Sequence, residues 1–212
     1  MKKVFAFAAA VLMFAGMANA QVSINAGLAT QAKTYTGNVP VFGSYTARDT
    51  NMTGFFLGVS YNLPITGGLS VAPGIYYQNL SHSTTTDVVL STLHTKDVEQ
   101  AIAIPILFNY GFELSDGVKL FGFVGPNITY GLVKTFTWWL GDNEPADPSA
   151  DYYGGDNPTN SQLNVFGTIG AGLQYHSLRL QLGYQMGFMD RTKSDNTTEK
   201  VNNFFVGVGY AL

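Results

Sequence analysis

Large apolar residues alternate with small or polar ones along most of this chain, and the last twelve positions show it most plainly. In Val201–Leu212, Phe204, Val206, Val208, Tyr210 and Leu212 share one phase, while Asn203, Phe205, Gly207, Gly209 and Ala211 share the other. A period of two sends successive side chains to opposite faces of a β-strand. The same period returns in seven earlier segments: Val22–Ala29, Gly54–Tyr61, Leu69–Gln78, Ala101–Tyr110, Lys119–Leu132, Leu163–Tyr175 and Leu178–Phe188. With the last segment there are eight strands, an even number as a single-chain barrel requires.

One strand cannot tell a lipid-facing apolar side from a buried one. The set of eight can, because most of the glycines and the glutamines within these segments share the opposite phase. A soluble eight-stranded barrel would turn its larger apolar residues inward. Here Leu178, Leu180, Leu182, Tyr184, Met186 and Phe188 oppose Arg179, Gln181, Gly183, Gln185 and Gly187, which suits an apolar face toward lipid and a small, polar face toward a lumen. The connections fall into two kinds. Asn62–Gly68, Glu113–Gly117 and His176–Ser177 are short, while those around residues 35–50, 82–95, 140–160 and 190–200 are longer and polar. This asymmetry predicts an all-β fold, an eight-stranded antiparallel transmembrane β-barrel with short periplasmic turns and longer extracellular loops. Tyr61, Tyr77, Tyr110, Tyr130, Tyr175, Tyr184 and Tyr210 fall on the outward phase and are expected to form interfacial girdles. Pro73 and Pro105 cannot donate to a ladder, so each calls for a bulge or a weak hydrogen-bond position.

The first twenty residues add a location. Lys2 and Lys3 precede an apolar run from Val4 to Met17, and Ala18-Asn19-Ala20 forms an A-x-A cleavage site before Gln21. Residues 1–20 are therefore expected to be a signal peptide that is removed, leaving 21–212 as a single barrel domain. With no cysteine there is neither a lipobox nor a disulfide. Charged residues are 12% of the chain, roughly half the usual fraction for a soluble domain, and aromatic residues are 14%. The formal net charge of −3 becomes two units more negative without the leader lysines, which argues against nucleic acid as a partner. No stretch after Gln21 is long and apolar enough for a spanning helix. Export with this composition points to the cell outer membrane.

The stretches Leu69-Ser70-Val71-Ala72-Pro73-Gly74-Ile75-Tyr76-Tyr77, Ile102-Ala103-Ile104-Pro105-Ile106-Leu107-Phe108 and Phe123-Val124-Gly125-Pro126 are each placed just as in a known family. In them the chain resembles the eight-stranded outer-membrane β-barrel family abundant in Bacteroidota, a porin-like family similar in architecture to OmpA/OmpX-type barrels. The resemblance spans essentially the whole mature chain. It implies a barrel in outer-membrane lipid, inserted by a barrel assembly machinery that reads the C-terminal strand. Such barrels usually end in an aromatic residue, commonly Phe, whereas this chain ends in Leu212. The resemblance implies hardly any chemistry.

Candidate site residues come from the inward phase. Lys33, Asp97, Glu99, Lys119, Arg179 and Arg191 all fall on it, and buried charges must pair because an isolated buried ion is costly. Glu99 is expected to meet Lys33 or Arg191 near the outer mouth, with Arg179 and Lys119 near the periplasmic end among Gln and Asn. Phe56, Tyr76, Phe121, Phe123, Phe166 and Phe205 share the inward phase. A barrel of eight strands is only wide enough to be filled by side chains, so a wide pore is excluded.

Catalytic, cofactor and metal sites find no support. Ser81 and Ser83 flank His82, and Asp97 or Glu99 could serve His94 as an acid, but a lipid-modifying hydrolase needs Ser, His and acid together on the lipid face. Alternation turns Asp97 and Glu99 inward. His176 falls in a periplasmic turn without a partner. The third long loop carries Asp142, Glu144, Asp147, Asp151 and Asp156 without the spacing of a calcium loop, and reads as a solvated segment, with calcium binding as the alternative. Trp138 and Trp139 at its base mark the outer interface. Tyr152 and Tyr153 near its tip are candidates for contact with a ligand or surface partner. The expected role is that of a monomeric structural or surface-interaction barrel, not an enzyme. A narrow or gated channel for ions or small solutes is the alternative, and a lipid A-modifying enzyme stands behind both.

Overall fold

The two ends of the chain hydrogen-bond to each other and close a ring. The computed structural model describes residues 21–39, 43–48, 52–88, 91–145, 147–154, 158–193 and 196–212; the expected signal peptide at 1–20 and Asp156 lie outside these. The strands are β1 (Gln21–Val39), β2 (Gly43–Arg48), β3 (Met52–Thr66), β4 (Leu69–Val88), β5 (Ser91–Ser115), β6 (Val118–Leu140), β7 (Ala150–Asp151), β8 (Leu163–Tyr175), β9 (Leu178–Gly187) and β10 (Thr197–Ala211). Around the ring they run β10-β9-β8-β6-β5-β4-β3-β1. The circle closes where β1 pairs antiparallel with β10, from Ser23↔Ala211 to Gly37↔Thr197. Strand β2 pairs with the far half of β1, from Thr34↔Arg48, and β3 with the near half, from Gln31↔Met52, so the two share one place in the ring. Strand β7 only fastens the third loop to β6. Eight positions result, and closure leaves the spanning part no unpaired edge, which a bilayer demands.

The alternation resolves as expected. Leu28, Leu57, Val124, Ile169, Leu182 and Val208 are exposed, while Asn25, Phe56, Asn127, Thr168, Gln185 and Asn203 are buried. Tyr110, Tyr130, Tyr175, Tyr184 and Tyr210 are exposed on the outer surface and Tyr77 is half-buried. Tyr61 departs from the girdle. It keeps the outward phase opposite Val22, near the β3–β4 register shift between Pro64 and Thr66, but is 7% exposed.

Two of the predicted long loops are largely strand, and a third gives its last residues to one. Strands β4 and β5 continue to Val88↔Ser91, β1 and β2 to Val39↔Gly43, and β10 begins at Thr197. Residues such as Thr84, Thr85 and Thr86 favour a strand, and extending a ladder whose register is already set needs no new nucleation. Strand β5 has 25 residues and β6 has 23, against the roughly 9–11 needed to span a bilayer, so their outer parts stand above the membrane. At the other end the turns are tight. Gly67 and Gly68 both have positive φ, 54° and 84°, as a two-residue primed turn requires.

The prolines do not produce bulges. Pro73 pairs with Ile106 and Pro105 with Asn127, and the register is the same on either side of each. The consequential irregularity lies further out, where Gln100 pairs with Val133 but Ala101 with Gly131, leaving Leu132 as an extra residue in β6. Such a bulge reverses the phase of every side chain beyond it.

Inside, phenylalanines lie on glycines one or two strands away. Phe56 and Phe205 meet edge to face at 5.8 Å, Phe205 and Phe123 stack at 6.2 Å, and Phe123 and Phe121 lie 6.2 Å apart. A Cβ at Gly207 would come 2.7 Å from Phe56 Cζ, and Gly170 and Gly172 likewise receive Phe123 and Phe121. The inward glycines are the floors on which these rings rest.

Candidate functional site at the outer mouth of the lumen

The lumen is divided into levels. At the turn end is a cavity of about 300 Å³, lined in part by Asn62, Lys119, Phe121 and Arg179. Above it, beside the aromatic layer, Ser60, Tyr76, Asn109, Asn127 and Gln181 border a space of about 60 Å³. Next comes a level holding about 10 Å³, where Glu99, Arg191, Phe166 and Leu80 meet. A vestibule of about 520 Å³ opens over it at the long-loop end.

The tight level is an ion network. Arg191, in the connection after β9, places a guanidinium nitrogen 2.8 Å from Glu99 Oε1 on β5 and 4.0 Å from Glu199 Oε1 on β10. Lys134 of β6 donates to both carboxylate oxygens of Glu199, at 2.8 and 3.0 Å. Asn160 donates to Glu199 Oε2 at 3.0 Å. All four charged side chains are buried. Such groups are costly to bring out of water and are sustained by close pairing and hydrogen bonds. Arg191 is held above its ordinary pKa: burial alone would lower it, but Glu99, Tyr153 and Glu199 outweigh that effect.

Of the two partners expected for Glu99, the structure selects Arg191. Lys33 is buried at 3% and lines the vestibule, as does Asp97, which has a partner of its own. Arg179 and Lys119 both line the turn-end cavity, among Gln21, Asn62, Asn109 and Gln174. Lys119 reaches Glu113 at 3.8 Å near the surface, and Arg179 lies over the Phe121 ring at 4.4 Å. Lys134 and Glu199 were not among the sequence candidates. The Leu132 bulge turns Lys134 inward although simple alternation from Gly131 points it outward. Its signal was a cation on the apolar phase. Glu199 keeps the phase of Val201 and Asn203, but falls in a segment read as loop.

The tyrosine pair is corrected. Tyr153 folds back into the mouth, packs on Gly131 and accepts a hydrogen bond from Arg191. Burial, the largest influence, pushes its hydroxyl up to about 12. Tyr152 lies 5.3 Å beneath the Lys134 ammonium. Neither stands at a free tip. Asp151 accepts the backbone N–H groups of Tyr153 and Gly154, each at 3.0 Å, and Glu144 pairs with Lys96 at 2.8 Å. Among the described residues no three His, Asp or Glu side chains gather as metal ligands.

Trp138 is exposed, and Trp139 stacks on His94 at 5.0 Å. His82 Nε2 lies 2.8 Å from Thr84 Oγ1 and His94 Nδ1 lies 3.1 Å from Thr85 Oγ1. His176 serves the β8–β9 turn with a positive φ of 51°.

A closed antiparallel ring with a lipid-facing apolar belt, short turns at one end and extended hairpins at the other defines an outer-membrane β-barrel protein. A family model described as an outer membrane protein beta-barrel domain matches residues 14–193, and the chain belongs to this family. No curated protein matches the chain. Among solved structures of similar fold is Ail of Yersinia pestis in complex with the heparin analogue sucrose octasulfate, with 18% identity over 91% of this chain and 99% of that one, TM-score 0.43. Neisserial surface protein A has 15% identity over 91% and 98%, TM-score 0.42. The outer membrane enzyme PagL has 12% identity over 86% and 99%, TM-score 0.45.

Proposed function

We propose that the protein is a closed barrel that acts at the cell surface through its outer mouth and extended hairpins, neither conducting solutes nor catalysing a reaction. One observation carries this reading. Between the two mouths the lumen narrows to a level of about 10 Å³ between the Arg191–Glu99 pair and Phe166. A hydrated ion cannot pass without breaking buried pairs, which is expensive. The extracellular side offers the opposite: a vestibule of about 520 Å³ framed by ordered β-hairpins. His82 and His94 support a non-enzymatic role, since each bonds a threonine on its own hairpin, Thr84 and Thr85. In this reading residues 1–20 are cleaved before Gln21 and the mature barrel is a monomer.

A narrow or gated channel is the second reading, favoured by the polar groups around the inner cavity and by vestibules at both ends. Single-channel recording of the refolded mature protein in a planar bilayer separates the two. The closed reading expects silence. Stable, selective steps that change in Glu99→Gln or Arg191→Met would replace it with the channel.

A further inference from the structure

The turn end of the lumen contains a charge that no acid answers. Arg179, on β9, lies over the Phe121 ring, and no carboxylate among the described residues is at ion-pair distance from it. Its Nε–H is buried without an acceptor among them. The other cation of the turn-end cavity, Lys119, has Glu113, and no described acid borders the cavity itself. A second orphan faces the same space. Asn109, on β5, is 6% exposed, and its Nδ2 donor has no partner among the described residues. Strands β9 and β5 are three places apart along the ring, so these two side chains approach only through the lumen. Both border the turn-end cavity and the inner space above it, and stand where the two meet. Buried donors without acceptors are unfavourable, and an anionic acceptor that takes both relieves the cost.

The rest of the lining narrows the choice of anion. One unanswered cation calls for one negative charge, since a second would itself be buried unpaired. Ala72, Tyr76, Leu107 and Phe205 give the inner space an apolar wall. A bare inorganic ion gains nothing from that wall, whereas an alkyl tail gains by leaving water. The inner space holds about 60 Å³, several times the roughly 10–15 Å³ that one water needs, so the tail is a few carbons long. Above it the Arg191–Glu99 level closes the lumen, and the ligand enters through the turn-end cavity of about 300 Å³.

We propose that the turn-end half of the lumen binds a short aliphatic monocarboxylate. Its carboxylate takes the Arg179 Nε–H and the Asn109 amide, and its tail lies in the inner space against Tyr76, Leu107 and Phe205. The site goes beyond the surface role of the outer hairpins, and only its access from one side rests on the closed-lumen reading.

Isothermal titration of the refolded mature barrel with sodium propionate, propionamide, sodium chloride and sodium succinate tests the site. Propionate is expected to bind about tenfold or more tighter than propionamide or chloride, because only it has both the charge and the tail. Succinate, which would turn a second charge toward the apolar wall, should bind more weakly than propionate. Arg179→Met should remove the preference for propionate, while Lys96→Met, the same charge change on the outer hairpin, leaves it intact. Asn109→Ala should weaken propionate with the arginine in place, and gives a second measure if Arg179→Met does not fold. In nitrogen–proton spectra the Arg179 Nε–H resonance should move with propionate and stay with propionamide. Equal binding of propionate and either propionamide or chloride overturns the proposal, as does equal binding to Arg179→Met and the parent. Conductance measured in the same preparation keeps the readings apart. Steps with this binding intact would retain the site and overturn closure, while silence without binding would retain closure and overturn the site.

Discussion

Arg191 and Glu99 meet at 2.8 Å across the width of the barrel. Glu99 is on β5, while Arg191 is bound through its backbone N–H to the Glu199 carbonyl of β10, four places away in a ring of eight. The pair therefore braces opposite walls. Through Glu199 and Lys134 it also ties in β6.

Removing the central cation should uncover two buried carboxylates. Arg191→Met is expected to cost about 3–5 kcal/mol, the range for breaking a buried pair by deleting one partner. Adding Glu99→Gln should recover a large part of that loss. Urea unfolding of the reconstituted barrel measures both, and a double variant no more stable than Arg191→Met would show that the pair does not carry the effect.

The two faces of β9 should respond differently to the same charge. Leu182, mid-strand and 53% exposed toward lipid, lies between Ala171 and Val206. Leu182→Arg should cost about 2–4 kcal/mol in a bilayer. Gln181 borders the inner cavity, and Gln181→Arg should cost much less. Equal shifts in unfolding midpoint would refute the assignment of faces.

The ring-on-glycine packing predicts an overfilled interior at Gly207. Gly207→Val places a methyl-bearing carbon against Phe56 and should cost about 1–3 kcal/mol, as overpacking does. Pairing it with Phe56→Ala should reduce the penalty at this site. Independent, additive losses in thermal unfolding would mean that the ring is not the obstacle.

Tyr153 should stay neutral in strong base. With its hydroxyl pushed up to about 12 from 10.0, folding favours the protonated phenol. Its contribution is full below pH 10 and is lost as pH rises through the folded value. Phenolate absorbance of the parent minus that of Tyr153→Phe should therefore develop only near pH 12. A difference titrating at 10 would place the ring in water.

Much of this was readable along the chain. Alternation assigned the lipid and lumen faces of Leu28, Leu182 and Val208 against Asn25, Gln185 and Asn203, because a strand's period of two is a local property and the bilayer rewards it at every turn. The count of eight followed, as did the inward phase of Glu99 and Arg191 and one of their two possible pairings. Polarity was a poor guide to where strands end. Thr84 and Thr86 continue a hairpin that their surroundings in the sequence mark as loop.

What the sequence by itself determined was the barrel, its two faces and the inward phase of Glu99 and Arg191, since each depends on neighbours one or two residues away. Tertiary structure decided which charges meet. A single extra residue, Leu132, reverses the phase of β6 and delivers Lys134 to Glu199. The third loop folds over the mouth and carries Tyr153 to Arg191. Both outcomes depend on register and on contacts between distant strands, which no local pattern encodes.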